Sequence, residues 1–316
     1  MNRNAEKAAP SRLALRRLAQ KNSRMTRGDI LFEAVNVTLL GVIALLIFYP
    51  LLYVVSASFS DPLLVTAGKM YLWPVEPTLD NYQQVFRNAG IMTGYRNSLC
   101  ILVLGTSLNL VMTILAAYPL SRRDLWGRNL IMKLITFTMF FSGGLIPNYL
   151  LISKNLGLQN TWWALILPSA LSAYNMIIMR TFFTSSIPYE IQEAASIDGC
   201  SPFGILLRIM LPLSGPVIAV VGLYYGVGHW NSYFSALLYI SEERLQPLQL
   251  FLRKVLVMNS NQNIMDMAAD EAARAAMRAE VIKYSVIVLS SIPMLIVYPF
   301  VQKFFVKGVM IGSVKG

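Results

Sequence analysis

The chain has 316 residues, of which 55% are hydrophobic and 14% are charged. A soluble globular domain carries about 25% charged residues, so this composition excludes an ordinary water-soluble protein. The net charge of +11 comes from basic residues scattered around apolar segments rather than gathered in one patch, a pattern that does not favour nucleic acid as a partner.

Six apolar runs approach the roughly 20 residues that an α-helix needs to cross a bilayer. They cover residues 31–55, 98–120, 130–152, 162–183, 213–239 and 281–305. The runs are too long and too continuous for the alternating strands of a membrane barrel. We therefore predict an all-α integral membrane protein with six transmembrane helices.

The distribution of Lys and Arg predicts how these helices are oriented. Residues 1–30 form a basic segment, and the loop after the second span holds Arg122, Arg123 and Arg128. The loop after the third span holds only Lys154. Because basic loops remain on the cytoplasmic side, we expect both termini, the loop near residue 122 and the polar hairpin at 184–212 to be cytoplasmic.

The hairpin between the fourth and fifth spans carries the most specific pattern in the chain. Residues 189–198 predict a short helix with Glu190 and Glu193 on one face, three positions apart. Gly199 is a left-handed stop, and Ser201 followed by Pro202 predicts the start of a second helix. Small alanine side chains would let another protein approach closely, and the glutamates would offer partners for its Arg or Lys.

Several kinds of mechanism lack the residues that they need. No His/Cys cluster has metal-ligand spacing, and the only histidine, His229, lies inside the fifth span. No acid lies near the middle of a span, which argues against ion-coupled transport. The sequence has no Walker-type phosphate-binding loop, so any ATP that drives this protein would be bound by a separate chain.

The hairpin segment Glu193-Ala194-Ala195, followed by Gly199 and then by Leu211-Pro212, resembles the EAA loop of permease subunits of binding-protein-dependent ABC importers. In that family this loop is the coupling helix, which docks in a groove of the ATPase subunit. The resemblance implies a permease domain at 31–306, with a type 1 importer core at 95–306. The ATPase-coupling residues that it implies are Glu190, Glu193, Ala194, Ala195, Asp198, Gly199, Leu211 and Pro212.

Other segments resemble the carbohydrate branch of the same family and its second permease subunit. Trp230, Asn231 and Tyr233 resemble residues near the translocation path, with His229 as a neighbouring candidate. Aromatic residues in a membrane helix also serve packing, and that alternative stays open. The tail at 307–316 ends in Lys315-Gly316 and resembles tails that reach the ATPase interface.

The resemblance also implies partners and a location. It implies a second, homologous permease, two ATPase subunits, an extracytoplasmic solute-binding protein and membrane lipid, in a bacterial cell membrane. It implies no cofactor on this chain, because the ATPase uses the ATP and Mg²⁺. The expected function is import of a sugar or oligosaccharide. The alternatives are an importer of a non-sugar solute, an ion-coupled carrier or channel, and an intramembrane enzyme.

Overall fold

The computed structural model describes residues 27–258, 281–300 and 302. Most of the basic segment at 1–30, and the whole tail at 307–316 with Lys315 and Gly316, lie outside the described residues. Within the described part of the chain the regular structure is entirely helical, which confirms the all-α prediction. The chain divides into two compact units, Met1–Tyr53 and Val54–Gly316, and every site considered below lies in the second.

The helices are numbered here in chain order. They are α1 (Arg27–Ser58), α2 (Pro62–Thr66), α3 (Asp80–Arg87), α4 (Ala89–Ser121), α5 (Arg128–Phe140), α6 (Leu145–Asn155), α7 (Trp163–Ser169), α8 (Ala173–Ser185), α9 (Tyr189–Ile197), α10 (Pro202–Leu213), α11 (Gly215–Trp230), α12 (Tyr233–Tyr239), α13 (Leu248–Met258) and α14 (Val281–Phe300).

Among the described residues, three helices are long and apolar enough to cross a membrane, namely α1, α4 and α14. Three further pairs pass the same test together but are bent: α5 with α6 by 106°, α7 with α8 by 49°, and α10 with α11 by 83°. The described residues therefore hold three candidate spans, or up to six if each bent pair is one span.

Local backbone chemistry explains each bend. Between α5 and α6 the chain passes through Gly144, whose φ of 83° lies in the left-handed region that favours glycine. Pro168 lies in the 3₁₀ turn that ends α7, and Pro216 lies in the first turn of α11. Proline lacks the N–H that would continue a preceding helix, so a bend is the expected result.

The predicted span at 213–239 is not one continuous helix. It is divided into α11 and α12, because Asn231 closes the end of α11. The backbone N–H and the side-chain amide of Asn231 both donate to the carbonyl of Val227, at 3.1 and 3.0 Å. An asparagine that bonds to nearby backbone in this way competes with the helix, so a single polar residue ends α11 inside an apolar run.

One face of α4 organises the second unit. Its buried residues recur every three or four positions, with one adjacent pair at 97 and 98: Gly94, Asn97, Ser98, Ile101, Gly105, Asn109, Thr113 and Ala117. Small residues in such a stripe let neighbouring helices approach closely, and polar ones provide hydrogen bonds between helices. We therefore expect α4 to contact its neighbours through close packing at the small residues and through hydrogen bonds from the polar ones.

The hydrogen bonds from this face go largely to backbone groups of broken segments. The side-chain amide of Asn97 donates to the carbonyls of Arg244 and Gln246, at 2.8 and 3.0 Å. The hydroxyl of Ser98 accepts from the N–H of Leu248, the first residue of α13, at 2.9 Å. Because an unpaired backbone group in hydrocarbon costs several kcal/mol, these bonds make the irregular segment before α13 tolerable.

The largest buried cluster joins α4, α8 and α11 to the hairpin helix α10. Its members are Ala117, Tyr118, Leu120, Met176, Met179, Phe183, Ile187, Ile205, Leu206, Met210, Val217, Val221 and Tyr225. Within this cluster the Tyr225 hydroxyl lies 2.7 Å from that of Thr113 and accepts from the N–H of Ser172 at 3.0 Å. The hairpin helix α10 is thus packed directly against α4, α8 and α11.

Gly105 marks the tightest contact between α4 and α11. A Cβ atom at this position would lie 2.5 Å from Nε2 of His229, a distance that real Cβ atoms do not show. The imidazole is itself held in place, because Nε2 lies 2.6 Å from Oδ1 of Asn109. The amide of Asn109 in turn donates to the carbonyl of Ser169 in α7. Gly105 therefore leaves the space that lets His229 connect three helices.

We expect Gly105→Ala to lower the thermal unfolding midpoint of the purified transporter, because the added methyl group displaces His229. Overpacking of this kind costs about 1–3 kcal/mol. Gly228→Ala is the matched control, since it adds the same methyl group to α11 where nothing lies within 4 Å. Equal midpoints for the two variants would show that the contact at Gly105 is not tight.

Candidate functional site

The predicted hairpin is present, and its first helix ends one residue before the predicted end at 198. α9 ends at Ile197, where the N–H of Asp198 donates to the carbonyl of Ala194 at 3.0 Å. Gly199 follows with φ of 81°, a conformation that lets the chain reverse at little cost. Ser201 then caps α10, and its hydroxyl accepts from the N–H of Gly204 at 3.2 Å. The sequence pattern therefore predicted this turn correctly.

α10 contains a π turn that accommodates a proline. Residues Leu206–Met210 form the π turn, and the N–H of Leu211 donates to the carbonyl of Leu206, five positions earlier. Pro212 has no N–H, and in a regular α-helix its ring would clash with the carbonyl of Arg208. The wider turn lets the helix continue to Leu213, whereas an α-helix would be expected to break there.

The predicted coupling residues divide between a surface and the core. Glu190, Glu193, Ala194, Asp198 and Gly199 are exposed on α9 and the turn after it, and Pro212 is exposed on α10. Ala195 and Leu211 are half-buried and pack against the largest cluster. The structure therefore brings five of the eight predicted residues onto one continuous stretch.

Sequence reasoning missed an apolar residue on that stretch. Ile197 is 86% exposed at the end of α9, between the polar residues Ser196 and Asp198. The sequence signal for this exposure was the position of Ile197 away from the buried face of the helix. We call six of the exposed residues of this stretch the coupling surface: Glu190, Glu193, Ala194, Ile197, Asp198 and Gly199.

The four candidate path residues do not form a single site. His229 is buried against Asn109 and faces a cavity of ≈ 770 Å³. Trp230 is 2% exposed; its indole N–H donates to the carbonyl of Ser290 at 3.1 Å, and its ring lies 6.0 Å from that of Tyr95. Trp230 therefore serves mainly to pack α11 against α4 and α14.

The ≈ 770 Å³ cavity, called here the large cavity, lies between α6, α7, α8, α11 and α12. Its polar lining residues are Asn148, Ser169, Ser172, Asn175, Tyr224, Tyr225, His229, Ser232, Ser235 and Tyr239. Ligand cavities usually measure about 300–1,000 Å³, so the volume suits a small saccharide. Amide and hydroxyl groups in an apolar wall are also the groups that would bond sugar hydroxyls.

A second candidate lies on the opposite side of α11, beside α13 and α14. It consists of two adjoining pockets of ≈ 440 and ≈ 480 Å³ that share Gln249 and Ser290. We call them together the lateral groove. Tyr233 lines the first pocket, and Trp230 and Asn231 line the second. Three of the four predicted residues thus contact this groove, and His229 contacts the large cavity.

Two basic residues of the lateral groove were not predicted as site residues. The guanidinium of Arg253 lies 5.3 Å from the ring centroid of Tyr233, and Lys283 lines the same pocket. Neither residue belongs to a motif, and they are 30 positions apart, so only the fold brings them to one pocket. A cation beside an aromatic face can bind an anionic group and a ring together.

Comparison with known proteins agrees with this architecture. The family described as "Binding-protein-dependent transport system inner membrane component" matches residues 18–311. Protein LplC of Bacillus subtilis (strain 168) is 42% identical over 291 residues, which is 92% of this chain and 97% of that protein. The polygalacturonan/rhamnogalacturonan transport system permease protein YtcP of the same organism is 42% identical over 286 residues, 90% of this chain and 99% of that protein.

A solved structure is similar over nearly the same length. It is the crystal structure of a bacterial ABC transporter involved in the import of the acidic polysaccharide alginate. One of its chains is 33% identical and superposes with a TM-score of 0.81, covering 90% of this chain and all of that one. These matches, together with the apolar helices and the hairpin, confirm the predicted permease class and argue against an enzyme. The chain belongs to the family of inner membrane components of binding-protein-dependent transport systems.

Proposed function

We propose that this chain is the permease subunit of an ATP-driven importer that moves a sugar or oligosaccharide from an extracytoplasmic binding protein into the cytoplasm. The coupling surface is the observation that carries the proposal. It exposes small, acidic and apolar side chains on a short helix that is packed onto the membrane helices. The relatives whose names specify polygalacturonan and alginate support a saccharide over another solute.

The proposed topology follows from the helices and the charges. α1, α4 and α14 are three spans, and each of the three bent pairs is one more. Both termini and α9 are cytoplasmic under the positive-inside rule, in a bacterial cell membrane. A second permease of the same family covers the faces that this chain leaves exposed. Two ATPase subunits bind ATP and Mg²⁺, and the tail with Lys315 and Gly316 reaches toward them.

In this proposal, ATP-driven closure of the ATPase pair moves α9, which is tied to α10 by the turn at Gly199. α10 contacts the core through Leu206 and Met210, both of which are almost fully buried. The movement is therefore passed to α11, which begins after the bend at Ser214. Because α11 separates the large cavity from the lateral groove, its displacement changes access to both.

The charges of the lateral groove favour an acidic saccharide. Arg253 provides a cation for a sugar carboxylate, and the ring of Tyr233 provides a face for the pyranose. Guanidinium–carboxylate pairs are short and directional, so they would discriminate an acidic sugar from a neutral one. The first pocket of the groove lies beside the first half of α14, from Lys283 to Ser290, which is the extracytoplasmic half in the proposed topology.

We expect Glu193→Lys to abolish most uptake and most stimulation of ATP hydrolysis by the loaded binding protein. The reversed charge disturbs the contact with the ATPase, while the exposed position of Glu193 leaves the fold intact. Glu76→Lys, the same charge reversal at an exposed residue outside the hairpin, is the control. Normal uptake by Glu193→Lys at wild-type expression would refute the coupling assignment.

Ile197→Ala should weaken the association of the membrane subunits with the ATPase by about tenfold, since full burial of an isoleucine side chain is worth roughly 1.5–3 kcal/mol. The measurement is the amount of ATPase that co-purifies as a function of its concentration. Ile197→Leu keeps the apolar volume and should bind nearly as wild type. Equal binding by both variants would remove Ile197 from the interface.

Arg253→Gln should reduce the uptake of galacturonate oligosaccharides about tenfold and leave the uptake of a neutral galactose oligosaccharide unchanged, if one is transported. The reason is the loss of one charge-assisted hydrogen bond. Arg244→Gln removes an equal charge from an exposed residue outside the groove and is the control. Equal loss with acidic and neutral sugars would argue against a carboxylate site.

A further inference from the structure

A third cavity lies against the start of α9, and Glu190 is the one residue of the coupling surface that lines it. Its volume is ≈ 610 Å³, and it is bounded by the end of α4, the start of α5, the end of α8 and the first turn of α9. We call it the arginine cavity. Its charged and polar lining residues are Ser121, Arg123, Arg128, Arg180, Thr184, Ser185, Ser186, Tyr189, Glu190 and Gln192.

Each of its three arginines is held in place by something other than a carboxylate. Nε of Arg180 donates to the carbonyl of Leu120 at 2.8 Å, and Nη1 of Arg128 donates to the carbonyl of Arg122 at 3.2 Å. The guanidinium of Arg123 lies 4.7 Å from the ring centroid of Tyr189. These contacts fix the side chains and leave most of their N–H groups available to a ligand.

Arg122, which is next to Arg123 in sequence, differs from these three arginines because a carboxylate neutralises it. Arg122 makes a bidentate pair with Asp124, with N–O distances of 2.9 and 2.8 Å. This hydrogen bonding lowers the pKa of Asp124. Among the described residues no ion pair involves Arg123, Arg128 or Arg180. Glu190 is the one carboxylate in the lining, so three cations share a cavity with a single anion.

This charge distribution favours an anionic ligand. Like charges brought together repel one another, and an anion between them converts that repulsion into attraction. Guanidinium groups match phosphate oxygens in a bidentate way. Gln192 also lines the cavity, although its Oε1 is itself buried. A phosphate group therefore suits the arginine side of the lining.

The residues around the arginine cavity are typical of a membrane interface. Trp126, two positions before Arg128, is 94% exposed, as expected of an aromatic anchor at the headgroup level. On α5, Leu130 and Leu134 are 63% and 59% exposed and extend away from the cavity as an apolar surface. A basic pocket between membrane helices on the cytoplasmic side is a setting in which lipid headgroups bind.

We propose that the arginine cavity binds the headgroup of an anionic glycerophospholipid of the cytoplasmic leaflet, with its phosphate among Arg123, Arg128 and Arg180. The inference rests on the proposed function, because it uses the cytoplasmic position of the hairpin. Since Tyr189 and Gln192 belong to α9, an occupied cavity braces the coupling helix against α8.

The test uses the complete transporter purified from membranes that contain phosphatidylglycerol. Native mass spectrometry counts the lipid molecules that remain bound as detergent is increased. Arg123→Gln and Arg128→Gln should each reduce the retained phosphatidylglycerol about tenfold, from the loss of a charge-assisted hydrogen bond. Lys133→Gln is the matched control, because it removes a charge from the exposed side of α5, outside the cavity. The described contact of the Arg123 guanidinium is with the ring of Tyr189 and not with a backbone carbonyl, so its variant keeps the helix ends intact.

The other possible occupants give different results. Retention that is equal in wild type and both variants overturns the proposal. If added inorganic phosphate at millimolar concentration displaces the lipid completely, the site belongs to a soluble anion and the lipid assignment is wrong. If the variants lose ATPase subunits but keep the lipid, an acidic group of the ATPase is the occupant instead. Lipid retention does not depend on uptake, so a failed sugar assay would leave this result standing.

Discussion

The fold depends on how the chain pairs backbone groups that its own bends set free. Lipid offers no hydrogen bonds, so every broken helix in an apolar surrounding needs a donor or acceptor from a neighbour. α4 supplies several of them from one face. The Asn97 amide donates to the segment before α13, and the Asn109 amide donates to the turn at the end of α7. The Thr113 hydroxyl is hydrogen-bonded to that of Tyr225. The bends that shape the cavities are therefore possible because one unbroken helix carries amides and hydroxyls at helical spacing.

The same arrangement places the structural contacts and the candidate binding surfaces at different positions in the molecule. The large cavity and the lateral groove lie on opposite sides of α11, and the hairpin is packed below the same helix. His229 belongs to the structural part, because it fills the space left by Gly105 and is held by Asn109. Tyr233 is exposed to the groove. His229 and Tyr233, four positions apart on either side of the break at Asn231, thus have unrelated roles.

Periodicity and turn residues predicted much of this from the sequence. The all-α class, the end of α9, the reversal at Gly199 and the cap at Ser201 follow from local chemistry, which is why they could be anticipated. The division of the fifth run at Asn231 could have been suspected from a polar residue that competes for backbone bonds, but apolar composition outweighed it. The meeting of Arg253 with Lys283, and of Arg123, Arg128 and Arg180, depends on tertiary structure and has no trace in residue spacing.

α5 shows how incomplete a single copy of this chain is. Within Arg128–Phe140 no side chain is fully buried, and only Met132 and Ile135 pack against the large cluster. A helix gains most of its stability from packing rather than from its intrinsic propensity. The remaining stability of α5 must therefore be contributed by acyl chains or by a neighbouring subunit. In the proposed complex, synthesis of this chain in excess of its partners would present that surface to the quality-control proteases of the cell, so its abundance should follow that of the assembly.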